Sequence, residues 1–255
     1  VTATLLKTEK ATIRFGGLVA VKDMDLEIAP RQVFGLIGPN GAGKTTIFNL
    51  LTGVYRPTSG DIRLEGESVC GLRPFEIAAR GVSRTFQNIR LFGDMTALEN
   101  VKTACHLRSR QTLVDTVFRT RRHREDEAEQ EAFALELLSI FKLDGVRHEK
   151  ATSLPYGGQR RLEIARALAT RPKLLLLDEP AAGMNPQESV ELMKLIGWIR
   201  ERFDLTIMLV EHNMKVVMGV CERIQVVEYG QTIAVGAPQE IKNDKRVIEA
   251  YLGGA

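Results

Sequence analysis

The sequence predicts an α/β protein with a helical insertion, and three observations carry that prediction. Residues 33–37 and 174–177 are short apolar runs, the pattern of parallel strands covered on both faces. A glycine-rich turn at residues 38–43 joins the first run to a helical stretch at 45–51. Glycine and proline then become scarce over residues 97–150, where apolar residues recur at helical spacing. The 255 residues therefore read as a single domain. Residues 1–96 and 151–255 form its α/β core with a β subdomain, and 97–150 a helical subdomain.

The remaining elements follow in order. Residues 11–15 and 24–28 alternate apolar and polar side chains, as half-buried strands do. The segment from Pro57 to Gly60 marks a turn before another strand at 61–64. In the insert, Ala128, Ala132, Leu135 and Leu138 stand three and four apart and predict one apolar helix face. Asn185-Pro186-Gln187-Glu188 is a helix start, with Asn185 as cap, Pro186 in the first turn and Glu188 three residues after the cap. That helix is expected to run to about Arg202. Residues 206–210 read as a buried strand, and 224–227 with 231–235 as a hairpin around Tyr229-Gly230.

Composition excludes several function classes. Lys+Arg 35 against Asp+Glu 32 leaves a net charge of +3, too slight for a committed nucleic-acid binder, and no nucleic-acid partner is expected. The densest basic run, Arg119-Thr120-Arg121-Arg122-His123-Arg124, is followed at once by Glu125, Asp126, Glu127 and Glu129. Arg121–Glu125 and Arg122–Asp126 have i,i+4 spacing and predict a solvated, internally paired helix. Cys70, Cys105 and Cys221 are too scattered for a disulfide framework or a metal cluster, and they fit a reducing compartment. No basic-then-apolar leader opens the sequence, and the longest apolar runs fall far short of the roughly 20 residues that span a bilayer.

The chemistry is concentrated at Gly38-Pro39-Asn40-Gly41-Ala42-Gly43-Lys44-Thr45, which fits the P-loop pattern in its required setting after a strand and before a helix. Glycines let backbone N–H groups turn inward around phosphate oxygens, and the following helix presents its positive end to the same anion. Lys44 is placed to neutralise the outer phosphates and the Thr45 hydroxyl to ligate Mg²⁺; Thr46 is counted with the loop. The apolar run at 174–177 ends in Asp178-Glu179, which brings two carboxylates to the strand edge where ligands bind in such sheets. Asp178 is expected to hold hydrated Mg²⁺, and Glu179 to polarise water for attack on the γ-phosphate of ATP.

With what lies between them, these motifs resemble the ATP-binding subunits of ABC transporters over nearly the whole chain. The resemblance implies a P-loop NTPase fold with a RecA-like core, an antiparallel β subdomain and a helical subdomain. Arg84-Thr85-Phe86-Gln87-Asn88 is similar to the family's Q-loop, which makes Gln87 a Mg²⁺ ligand and sensor of the membrane subunit. Leu154-Pro155-Tyr156-Gly157-Gly158-Gln159 stands where the signature motif belongs, and 181–185 resembles the D-loop. His212 is similar to the switch histidine at the γ-phosphate, and Phe15 to the aromatic that stacks on adenine. Two departures stand out. Pro155 replaces the signature serine and can donate neither a hydroxyl nor an N–H, so γ-phosphate contact falls to Tyr156, Gly157 and Gly158. Asn185 stands where the D-loop usually has Asp.

Phe15-Gly16-Gly17-Leu18-Val19-Ala20-Val21, the Tyr156 signature, Ala181-Ala182-Gly183-Met184-Asn185-Pro186 and the Tyr251-Leu252-Gly253 ending resemble the branched-chain amino acid importer branch. Of the two ATP-binding subunits in such importers, the longer carries a helical insert, which residues 107–130 would supply. The resemblance implies an ATPase that works on the cytoplasmic side of the cell membrane. Its partners would be a second ATP-binding subunit (a heterodimer, with a homodimer as alternative), two transmembrane permease subunits and, indirectly, an extracytoplasmic amino-acid binding protein. A urea or short-amide importer and a nonmembrane ABC ATPase acting on nucleic acid or ribosomes stay open as alternatives.

Overall fold

The computed structural model describes residues 4–109, 115, 117–118 and 120–252. They form two compact units: one runs up to Arg84 and resumes at Lys173, and the other is Thr85–Pro172. The first unit holds two sheets. In the antiparallel sheet, β1 (Leu6–Phe15) pairs with β2 (Leu18–Ile28) and β4 (Ser59–Leu64), and β5 (Glu67–Ser68) closes the edge. The alternation read at residues 24–28 is real, because Met24, Leu26 and Ile28 are buried while Asp25 and Glu27 are exposed.

The second sheet has the order β10-β9-β3-β8-β7-β6. Its centre is parallel: β3 (Val33–Ile37) lies between β8 (Thr206–Val210) and β9 (Arg223–Glu228), and β7 (Leu174–Asp178) between β8 and β6 (Val82–Arg84). Every residue of β3, β7 and β8 is buried, which explains why their sequences are apolar throughout instead of alternating. β9 turns at Tyr229-Gly230 into β10 (Gln231–Gly236), the expected hairpin. Six helices belong to this unit among the described residues: α1 (Lys44–Leu51), α2 (Pro74–Ala79), α6 (Pro186–Arg202), α7 (Met214–Val220), α8 (Pro238–Asn243) and α9 (Lys245–Leu252). Asn185 caps α6 by accepting from the Gln187 and Glu188 N–H groups, both at 2.9 Å, and Glu188 reaches back to the Asn185 N–H. A cap of this kind is worth about 1 kcal/mol. One apolar cluster joins the sheets, with Phe34, Leu36, Ile47, Phe48, Leu174, Leu176 and Met208 meeting Leu6, Ile13, Met24 and Ile62. Each such side chain contributes roughly 1.5–3 kcal/mol by leaving water.

The helical unit contains α3 (Ala97–Cys105), α4 (Arg121–Ile140) and α5 (Tyr156–Ala169), which pack on one another. It takes in more of the chain than the 97–150 read from the sequence. The reason is α5, whose Leu162, Ala165 and Leu168 are buried with Val101 of α3 and Leu137 and Leu138 of α4. The face of α4 also differs from expectation. Ala128 and Ala132 are exposed and Leu135 is half-buried, whereas Gln130, Ala134, Leu137 and Leu138 are buried. Alanine removes too little apolar surface to decide which side turns inward, so the pair Leu137-Leu138 sets the face. On the outer side, Arg121 pairs with Glu125 at 2.7 Å as predicted. Asp126, expected to pair with Arg122, accepts from Ser109 Oγ at 2.7 Å and Gln130 Nε2 at 2.8 Å. Arg119, part of the 107–130 insert and Gly253 of the terminal motif lie outside the described residues. No helix among those described is long and apolar enough to cross a membrane.

Candidate active site

The phosphate loop occupies the carboxyl end of β3, and its glycines are there for steric reasons. Gly38 has φ 156°, and a Cβ on it would lie 2.0 Å from the Val227 carbonyl. Gly43 has φ 97°, a left-handed conformation at the helix cap, and its Cβ would lie 2.9 Å from the Ala20 carbonyl. The loop is thus squeezed between β2 and the β9–β10 turn. That turn holds it from the other side, since Gly230 N–H donates to Ala42 O at 3.0 Å and Gly230 O accepts from Lys22 N–H at 2.9 Å. Asn40 and Gly41, at the tip, are exposed, and so is Thr45 at the start of α1; Thr46 is half-buried.

Lys44 is buried, and its Nζ donates to the Gly38 carbonyl at 2.7 Å and the Pro39 carbonyl at 2.9 Å. Burial pushes the Lys44 ammonium below its usual range, and the nearby Glu179 and Asp178 carboxylates work against that shift. A lysine and a helix N-terminus therefore converge on one place, near two carboxylates. An anion flanked by a general base is what such a place accommodates.

Asp178 and Glu179 divide in environment. Asp178 is buried, with its Oδ2 taking an Arg84 Nη2–H at 2.7 Å. Arg84 also donates to Asn49 Oδ1 at 2.7 Å and lies over the Phe48 ring at 5.2 Å. Removing one partner of a buried ion pair leaves the other charge uncompensated, at about 3–5 kcal/mol. Arg84→Met is accordingly expected to lower Tm by roughly 5–15 °C in a thermal melt of the nucleotide-free chain. An unchanged Tm would show that Asp178 does not depend on it.

Glu179 is the more accessible carboxylate, and it adopts φ 48°, a conformation that costs a non-glycine residue energy. Its N–H donates to Val210 O at 2.9 Å, and its Oε1 lies 2.7 Å from His212 Nε2. Two residues read from separate motifs are therefore in direct contact. Behind them is Glu211, which is buried and accepts from Ala181 N–H, His212 N–H and Asn213 N–H. Burial raises the Glu211 carboxyl pKa, and the three backbone N–H bonds oppose the rise. Among the described residues, no cluster of three or more His, Cys, Asp or Glu side chains is arranged to hold a metal ion.

Phe15 belongs to the same unit but is half-exposed, with its ring edge-on to Tyr55 at 5.1 Å. Gln87 and Tyr156-Gly157-Gly158 belong to the helical unit. Gln87 is exposed, and its carbonyl accepts from Arg160 Nη2 at 3.2 Å. Arg160 and Glu163 form a fully buried pair at 2.8 Å that also takes the Phe86 carbonyl at 2.6 Å and the Phe86 and Arg90 N–H groups at 3.3 and 3.2 Å. Pro155 is the N-cap of α5, so Tyr156, Gly157 and Gly158 are its first three residues, whose N–H groups have no acceptor within the helix. Arg84, Glu211, Arg160 and Glu163 were not singled out from the sequence. A charged residue directly after an apolar strand was the available signal for Glu211, and the strand end for Arg84.

A glycine-cradled lysine at a helix N-terminus, facing an Asp-Glu strand end and a histidine, defines a P-loop ATPase. The comparisons narrow the class. The ABC transporter family model matches residues 21–182, and the model described as "Branched-chain amino acid ATP-binding cassette transporter" matches residues 231–255. The chain is 47% identical over 251 residues to the high-affinity branched-chain amino acid transport ATP-binding protein BraF of Pseudomonas aeruginosa, covering 98% of each. It is equally similar, at 47% over 251 residues and 98% of each chain, to LivG of Escherichia coli K12, which carries the same description. Its fold is similar to that of a solved ATP-binding cassette of an ABC transporter in its ADP conformation, with TM-score 0.84, 27% identity, and 98% of this chain and 99% of that one covered. The chain belongs to the ABC transporter family of ATP-binding proteins, in its branched-chain amino acid branch.

Proposed function

We propose that this chain hydrolyses ATP to power the import of branched-chain or similarly apolar amino acids, working with two permease subunits at the cytoplasmic side of the membrane. The observation that carries this reading is identity of 47% along 98% of a relative whose whole description is branched-chain amino acid transport. Its nucleotide partner is a second ATP-binding subunit, in a heterodimer, and an extracytoplasmic binding protein delivers the substrate.

In this reading Lys44 and the loop amides bind the phosphates, and Phe15 stacks on adenine. Glu179 accepts a proton from the attacking water while His212 holds the γ-phosphate side. Thr45, Asp178 and Gln87 would hold Mg²⁺, whose charge offsets that of the phosphates. All three donors are hard oxygens, and a phosphate-bound Mg²⁺ needs few protein ligands. Tyr156, Gly157 and Gly158 at the start of α5 serve the partner's γ-phosphate through the helix N-terminus. The α/β unit is the catalytic core and the helical unit carries the signature. Loss of the shared anion on hydrolysis separates the two subunits and resets the permease.

The test is uptake by vesicles holding the complete transporter with its binding protein. Labelled leucine is expected to accumulate at least tenfold over an ATP-free control, with urea and acetamide unmoved. Accumulation of urea or acetamide instead would assign the chain to the amide branch.

A further inference from the structure

The loops after β7 and β8 carry the two side chains that meet at 2.7 Å, Glu179 and His212. The Glu179 N–H makes the last bond between the two strands, to Val210 O at 2.9 Å, and just beyond it Glu179 is held at φ 48°. Such a conformation persists only where the surroundings over-determine it. Glu211 supplies that determination. It is 3% exposed, and its two oxygens face different loops: Oε1 takes the Ala181 N–H at 2.6 Å, and Oε2 takes the His212 and Asn213 N–H groups at 3.1 and 3.2 Å. Ala181 lies in the turn that Ala182 N–H closes onto Glu179 O at 3.1 Å. One buried carboxylate therefore ties the turn behind the general base to the backbone of the histidine.

We propose that Glu211 is a positioning residue for ATP hydrolysis, setting the Glu179–His212 geometry by clamping the Ala181 and His212 backbones together. A buried carboxylate is costly unless its lone pairs are used, and here three N–H donors use them. Glutamine cannot replace it. Its single carbonyl oxygen can serve one loop, and its NH₂ then confronts an N–H donor of the other. Aspartate keeps the charge but is one methylene too short to span both. Small misplacement of a base or a phosphate contact is enough to cost about 10²-fold in rate, while phosphate binding by the Lys44 loop is left alone.

The inference rests on Glu179 and His212 carrying the chemistry, so Glu179→Gln is measured beside it. In the complete transporter, Glu211→Gln and Glu211→Asp are expected to lower kcat for ATP by about 10–100-fold, with KM and the ATP affinity of the isolated chain within twofold of wild type. Turnover within threefold of wild type in Glu211→Gln would overturn the inference. So would a loss of ATP affinity matching the loss of kcat, or failure of both variants to fold, because each is what a purely structural anchor predicts. Full turnover in Glu179→Gln would instead remove the underlying reading of the base.

Discussion

Glu179→Gln is expected to lower ATP turnover about 10³-fold while leaving ATP affinity within twofold. General-base catalysis is worth about 10²–10⁴-fold, and an amide cannot accept the proton of the attacking water at neutral pH. Affinity should survive because the substitution is isosteric. A glutamine oxygen or nitrogen can still meet His212 Nε2, which lies 2.7 Å from Glu179 Oε1, and the Val210 O contact at 2.9 Å is made by the backbone. Lys44 and the loop amides, to which the proposed mechanism assigns the binding, are untouched. With ATP bound but not consumed, the variant should accumulate as an ATP-dependent closed pair, seen as an earlier-eluting species on size exclusion. Steady-state phosphate release and nucleotide binding read the two halves of this result. Turnover near the wild-type rate would remove Glu179 from the chemistry.

Lys44→Ala is expected to do the reverse and act on binding. Charge-assisted hydrogen bonds are worth about 1.5–3 kcal/mol, so ATP affinity should fall roughly 10–100-fold. The same ammonium bonds the Gly38 and Pro39 carbonyls, so its removal also loosens the loop that has to present its amides. Fluorescent nucleotide titration measures the change. Equal affinity in wild type and variant would show that the loop amides and helix terminus suffice without the lysine. The two variants thus separate the functions of one small region: Lys44 should alter affinity, and Glu179 the rate.

What the sequence revealed about this region follows from how local its chemistry is. The phosphate loop needs glycines and a lysine at fixed offsets between a strand and a helix, and all of these lie within eight consecutive residues, Gly38 to Thr45. The helix start at Asn185 is as local, since its cap and its reciprocal carboxylate are three residues apart. Strands β3, β7 and β8 could be read from composition because burial on both faces leaves no alternative to apolar side chains. Arg84 and Glu211 stayed hidden for the opposite reason. Arg84 meets Asp178 across 94 positions and Glu211 meets Ala181 across 30, and only the pairing of β6 with β7 and of β7 with β8 brings them together. Spacing in the chain contains no such information. Nor did it settle the inward face of α4, where periodicity counted Ala128 and Ala132 as equals of Leu135 and Leu138 although alanine buries far less surface, and left out the buried Leu137.

The most direct test of the claim that ATP turnover at this site drives transport is leucine uptake by vesicles reconstituted with the complete transporter, carrying either the wild-type chain or Glu179→Gln. With ATP on the side of this subunit, the wild-type complex is expected to accumulate leucine, and the variant to fall at least tenfold while still binding ATP. Uptake at the wild-type rate by the Glu179→Gln complex would contradict it.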